Sequence, residues 1–160
     1  MNLTIRIAQV SDLDVILKLF SDTISSVCKD DYNQRELEVW KSSANNVEHW
    51  QNLILQQYFL VGEMNDEIVG FASLDHGNYV DVLYVHRDFQ KQGIAQNLYS
   101  ELETEAIRLQ SNTLTADVSK TAKSFFERNG FTVVAEQIQI RQNVEIINFK
   151  MKKSLNQYSI

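Results

Sequence analysis

A polar loop with one glycine, Gln90-Lys91-Gln92-Gly93-Ile94-Ala95, follows an apolar stretch, Tyr79 to Val85, that carries a single acid, Asp81. The two features could do different chemistry. A helix opening near Gly93 leaves its first amides without intrahelical partners, and its dipole is positive at that end. A pyrophosphate fits such a place. Gly93 and Ala95 keep bulky side chains out of a ligand's way, and Lys91 adds charge. By its own physics the loop is either an anion site or a plain strand-to-helix turn. It is not a Walker loop, because no Gly-Lys-Ser/Thr closes it, and it lacks the three glycines of the dinucleotide fingerprint. Asp81 is a carboxylate in an otherwise apolar strand. At a period of two it shares a face with Tyr79, Leu83 and Val85. Such an acid either takes a proton in a reaction or makes an ordinary ion pair. His76, in a turn, and His86, just past the strand, are weaker proton carriers.

The elements that would position these residues read from periodicity. Leu3 to Ala8 alternates as a strand. Ser11 can cap a helix whose apolar face is Leu13, Ile16, Leu17, Phe20 and Ile24. A second helical region, about Gln34 to Leu55, breaks near Ser42 to Asn46. Strands follow at Tyr58 to Glu63 and Ile68 to Leu74, joined at Asn65-Asp66. After a turn at Gly77-Asn78 comes the Tyr79–Val85 strand, apolar on both faces and so central. The helix after the loop runs to about Gln110. Thr113 to Val118 is a strand, and Ser119 caps a short helix that stops at Asn129-Gly130. Strands at about 131–140 and 144–151 meet at Gln142-Asn143. Helices interrupt the strands without strict alternation. That predicts an α/β (or α+β) domain with a mixed sheet and helices on both faces.

Composition narrows the function classes. A chain of 160 residues suits one domain, here taken as 1–155 with a short tail at 156–160. The net charge of −6 argues against broad nucleic-acid binding. No apolar run is long enough to cross a membrane, and the N-terminus lacks a signal-peptide layout. The expected place is the cytoplasm. Cys28 is the only cysteine, so no internal disulfide forms and no spacing calls for zinc. The expectation is no metal, with Cys28 a small residue near a helix end.

Two segments carry a family resemblance. Gln90-Lys91-Gln92-Gly93-Ile94-Ala95 resembles the cofactor loop of the GNAT superfamily of N-acetyltransferases, Gln/Arg-x-x-Gly-x-Gly/Ala, and Leu83-Tyr84-Val85-His86 resembles the end of that family's fourth strand. Ala122-Lys123-Ser124-Phe125-Phe126-Glu127-Arg128-Asn129-Gly130-Phe131 resembles its Ala-x-x-Phe-Tyr-x-Lys/Arg-x-Gly-Phe helix and turn. The closing segment, Asn148 to Lys153, is similar to the last strand of many members. The resemblance spans residues 3 to 153.

It implies a sheet of about seven strands, mostly antiparallel, splayed between the fourth and fifth. Acetyl-CoA would be the cosubstrate. Its arm would run along the backbone of Leu83, Tyr84 and Val85, its pyrophosphate would meet the amides of residues 90 to 95, and Ser119 and Phe126 would flank it. The acceptor would be an amine on a small molecule, or a peptide. It would attack the thioester directly, Asp81 or Tyr79 would take its proton, and an amide near Val85 would face the oxyanion. The helical region before the second strand would line the acceptor site with Tyr32, Trp40 and Trp50, beside His49. Family members are often dimers, which makes a homodimer an expectation. Two positions depart from the pattern. Phe126 stands where many members carry a Tyr that protonates the leaving thiolate, and Ser119 stands where many carry Asn. The rival reading is a non-catalytic acyl-CoA sensor on the same fold.

Overall fold

A computed structural model describes residues 2–155, so the tail at 156–160 lies outside the described residues. The strands are β1 (Thr4–Ile7), β2 (Tyr58–Met64), β3 (Glu67–Asp75), β4 (Tyr79–Val85), β5 (Thr113–Ser119), β6 (Thr132–Arg141) and β7 (Val144–Ser154). The helices are α1 (Leu13–Val27), α2 (Gln34–Lys41), α3 (Val47–Gln56), α4 (Ile94–Arg108) and α5 (Lys123–Arg128). The strands form one sheet in the order β1-β2-β3-β4-β5-β7-β6, and β4–β5 is its parallel pair. The expected mixed, mostly antiparallel seven-stranded sheet is what forms. No helix among the described residues is long and apolar enough to cross a membrane.

The sheet has an apolar cluster on each side. On the back, α4 and α5 supply Ile94, Leu98, Tyr99, Leu102, Ala106 and Phe126, packed on Leu74, Val80, Val85, Leu114, Ala116, Val118 and Met151. On the front, α1 to α3 supply Ile16, Phe20, Ile24, Leu37, Trp50 and Ile54, packed on Phe59, Val61 and Phe71. Helix α4 lies close to β3 because Gly70 has no side chain. A Cβ there would stand 3.1 Å from both Leu98 Cδ1 and the Tyr84 carbonyl oxygen, and 3.3 Å from Ile94 Cγ2. Gly70→Val should therefore lower the melting temperature measurably, by an overpacking cost of about 1–3 kcal/mol. Thermal denaturation checks this, and an unchanged midpoint would mean that α4 has slack.

Local chemistry explains most boundaries. Asn65-Asp66 and Gln142-Asn143 both hold positive φ at two successive residues, as a tight hairpin turn requires. The third turn centres on His76-Gly77 rather than Gly77-Asn78, since those two carry the positive φ. Helix α5 ends in a double closure. Phe131 N–H donates to the Phe126 carbonyl, Gly130 N–H donates to that of Glu127, and Gly130 sits at φ 92°. The Phe126 and Phe131 rings meet at 5.0 Å over it.

Two caps differ from expectation. Ser11 is not the cap of α1. A 3₁₀ turn at Val10–Asp12 comes first, and the Asp12 carboxylate accepts from Gln9 N–H at 2.8 Å. Arg6 grips the same carboxylate through both terminal nitrogens and holds it below the usual carboxylate range. Ser119 accepts from Ala122 N–H at 3.1 Å, so it caps the turn before α5 and not the helix itself.

Candidate active site

Strands β4 and β5 pair at only two positions, Tyr79 with Thr115 and Val80 with Ala116. Beyond them the strands part. The splay leaves a cleft of about 830 Å³ lined by both strands, the loop after β4, helix α5 and the α1–α2 region. The Val85 carbonyl faces this gap and not β3. It accepts from Gln90 Nε2 at 2.5 Å and from Thr23 Oγ1 at 3.5 Å. Leu83 has the same parity, so its amide and carbonyl also point into the gap.

The loop places its groups as an anion site needs. Gly93 caps α4 in the left-handed region, at φ 82°. The first helical bond runs from Asn97 N–H to Gly93 O at 3.0 Å. The amides before it have no acceptor within the helix. Above Gly93 there is room, as a Cβ there would meet only Asn97 Nδ2, at 3.9 Å. Lys91 and Arg128 line the cleft beside it, and Ile94 is buried beneath. The Gln90 side chain is not free for a phosphate, because it is tied to Val85.

A bulge in β4 corrects the expected face. Ser73 pairs with Val82 and Leu74 with Val80, which leaves Asp81 as the extra residue. One inserted residue breaks the alternation. Val80, Leu83 and Val85 therefore pack on the back, and Val82 and Tyr84 on the front. Tyr79 also faces front, where its hydroxyl donates to Asp117 Oδ2 at 2.7 Å. Asp81 and Tyr79 thus do not share a face with Leu83 and Val85. Burial, and then the neighbouring Asp117, push the Tyr79 hydroxyl well above its ordinary range. Its proton is directed to a carboxylate, an arrangement that disfavours Tyr79 as a base. Asp81 is half-buried in the cleft wall, and its Oδ2 accepts from Gln57 Nε2 at 2.8 Å. Asp117 also accepts from Gln137 Nε2 at 2.7 Å. Sequence reasoning missed Asp117, because it falls on the polar side of an alternating strand, Thr113, Thr115, Asp117 and Ser119, and reads as an ordinary solvent-facing residue.

The front of the cleft is aromatic. Tyr32, Trp40 and Tyr84 line it, facing Ile146 and Asn148 of β7. The rings of Tyr32 and Trp40 meet edge to face at 5.4 Å. The Tyr84 hydroxyl is raised above its ordinary range by burial, against a hydrogen bond from Trp40. Trp50 is elsewhere. It is 3% exposed, packs on Phe20 and Phe71, and donates from its indole to the Ser43 carbonyl at 3.1 Å. Helical spacing alone does not separate a core tryptophan from a cleft one, and this one is core. His49 lies on the exposed side of α3. Cys28 caps the end of α1, and burial raises its thiol above the ordinary range.

The Tyr32 hydroxyl is fully used. It donates to the Ile147 carbonyl at 2.7 Å and accepts from Lys120 N–H at 2.9 Å. Burial raises its pKa to about 12. Its ring can line a site, but its oxygen holds three segments together. Tyr32→Phe should lower stability by about 1–3 kcal/mol, since the Lys120 amide loses its acceptor. Chemical denaturation measures this. An unchanged midpoint would show that the tie is dispensable.

Phe126 borders the cleft, and its ring packs against Phe125 at 5.6 Å and Tyr99 at 6.4 Å. It offers no proton. Ser119 lines the cleft with its oxygen engaged by Ala122.

Comparison with known proteins follows the same lines. Residues 28–154 match the family model described as the acetyltransferase (GNAT) domain. The chain is 29% identical over 152 residues to the uncharacterized N-acetyltransferase YafP of Escherichia coli (strain K12), covering 94% of this chain and 95% of that one. It superposes on the crystal structure of a GCN5-related N-acetyltransferase from Rhodopseudomonas palustris with a TM-score of 0.93, at 28% identity and 97% coverage of each chain. A PaiA N-acetyltransferase from Thermoplasma acidophilum, solved in complex with coenzyme A, shares the fold at TM-score 0.80 and 19% identity, over 96% of this chain and 99% of that one.

Proposed function

As the chain belongs to the GNAT acetyltransferase family, and so to the N-acetyltransferases, we propose that its cleft binds acetyl-CoA and passes the acetyl group to a primary amine on a small molecule. The observation that carries this reading is the parting of β4 from β5 beyond Val80, which leaves the backbone of Leu83 and the amide of Val85 without a partner strand. The Val85 carbonyl on the same edge is held by Gln90 and Thr23. A pantetheine arm carries amides and can pair there as an added strand does. Tyr84 lies between these two, with its backbone turned to Phe71 of β3 and its ring on the front of the cleft. The amides of Gly93, Ile94 and Ala95 suit the pyrophosphate, with Lys91 and Arg128 beside it and Gln92 at the exposed rim. The Thermoplasma protein of the same fold was solved with coenzyme A, which agrees with this use of the cleft.

The acceptor enters from the front, between the Tyr32, Trp40 and Tyr84 wall and β7. Two carboxylates, Asp81 and Asp117, stand at that end, and aromatic rings and acids together suit a cationic amine. An ammonium has no lone pair to attack with. Asp81 takes its proton, the freed nitrogen bonds to the thioester carbon, and the carbon–sulfur bond breaks. The second proton shed by the nitrogen passes to solvent or to the departing thiolate, giving the amide and the free thiol. A thiolate is a tolerable leaving group because its conjugate thiol is moderately acidic, so Phe126 in place of a proton donor does not prevent reaction.

The test is thiol release from acetyl-CoA with polyamines, amino acids, aminoglycosides and a peptide N-terminus as acceptors. Turnover on a small amine is expected. Turnover on the peptide alone would reassign the acceptor. Binding of acetyl-CoA with no thiol release on any amine would contradict transfer.

A further inference from the structure

Strand register brings Gln57, Ser73 and Asp81 to neighbouring positions at the bulge of β4. Gln57 Nε2 donates to Asp81 Oδ2 at 2.8 Å. That bond holds one carboxylate oxygen and leaves Oδ1 for an incoming proton. It also fixes which way the amide lies, because its oxygen would be repelled by the carboxylate. Gln57 Oε1 is then turned inward, buried and without a hydrogen-bond partner among the described residues. Ser73 is 0% exposed, and its Oγ likewise has no partner among them.

The register brings these groups to one place. Ser73 stands opposite Val82, the residue after Asp81, on one side. On the other it stands opposite Phe59, which shares the front face with Gln57 at a period of two. Asp81 is the bulged residue and has no register partner in β3, which opens the ladder locally at the same spot. Buried polar groups are rarely left unpaired, and one internal water makes about two to four hydrogen bonds.

We propose that Gln57 and Ser73 are positioning residues for Asp81, joined by one buried water that bridges Gln57 Oε1 and Ser73 Oγ. The water locks the amide of Gln57, and the amide aims the carboxylate at the acceptor. This rests on Asp81 as the base.

The variants Ser73→Ala, Gln57→Met and Asp81→Asn test it, with kcat, the KM for acetyl-CoA and the melting temperature measured for each. If Ser73 were only a stranded hydroxyl, its removal would relieve an unmet polar group and raise the melting temperature while leaving kcat alone. The expected result differs. Ser73→Ala lowers kcat about tenfold and Gln57→Met lowers it about tenfold to a hundredfold, as misaimed catalytic groups do. In both, the KM for acetyl-CoA stays within about twofold and the melting temperature does not rise. Wild-type kcat in Ser73→Ala and Gln57→Met, beside an inactive Asp81→Asn, would overturn this proposal and leave the base standing. Wild-type kcat in Asp81→Asn would overturn both.

Discussion

Asp81→Asn lowers kcat by about two orders of magnitude or more, the usual worth of a general base, and leaves the KM for acetyl-CoA within about twofold. The substitution keeps the shape of the side chain and an oxygen for Gln57, which donates to Asp81 at 2.8 Å. The fold therefore has little reason to change. What is lost is the ability to hold a proton. The cofactor should not notice, because its proposed contacts are the backbone of Leu83 and Val85 on the parted edge and the amides after Gly93. A loss confined to kcat marks an interaction made in the reacting state. Wild-type turnover would take Asp81 out of the mechanism and turn attention to Asp117, the second acid at that end of the cleft.

Gly93→Glu lowers acetyl-CoA affinity at least about a hundredfold, which corresponds to about 2.7 kcal/mol. Two effects act on the fold in opposite directions, and the strain is the larger. A non-glycine residue at φ 82° costs about 1–2 kcal/mol. An acid at a helix N-terminus returns about 0.3–1 kcal/mol. A Cβ there meets nothing closer than Asn97 Nδ2 at 3.9 Å, so no clash adds to this. The free protein should stay folded. The open space in front of Gly93 is where the pyrophosphate is proposed to lie, and a carboxylate placed there repels it. Each pair of unit charges at 4 Å costs about 4 kcal/mol at a near-surface dielectric. Gly93→Ala separates the causes, since it has the strain without the charge. It should keep most of the affinity. Calorimetric titration with acetyl-CoA decides, and unchanged affinity in Gly93→Glu would displace the anion site from this loop.

The element order was legible because the signals are local. Asn65-Asp66 and Gln142-Asn143 announce their hairpins by residue type, and Gly130 with Phe131 announces the close of α5. The splay between β4 and β5 came only through the resemblance, since no residue in either strand marks where pairing stops. The bulge at Asp81 was not legible. It depends on the register against β3, and one extra residue moved Tyr79 and Asp81 off the face that period-two counting gives. Trp50 failed for a similar reason, because its spacing fits a helix face but its partners Phe20 and Phe71 lie on other elements. The Tyr32 tie joins residues 115 and 88 positions away. Gln57 and Ser73 left no local sign at all. Only the folded register shows them beside a carboxylate.

Residue-resolved amide hydrogen exchange, with and without acetyl-CoA, tests the central claim most directly. Occupation of the parted strands by the arm predicts slower exchange at Leu83 and Val85 together with Gly93, Ile94 and Ala95, and little change at the outer strands β1 and β6. Protection that spares these five amides, or that appears instead on another face of the sheet, would contradict the claim that the gap between β4 and β5 is where the acetyl donor binds.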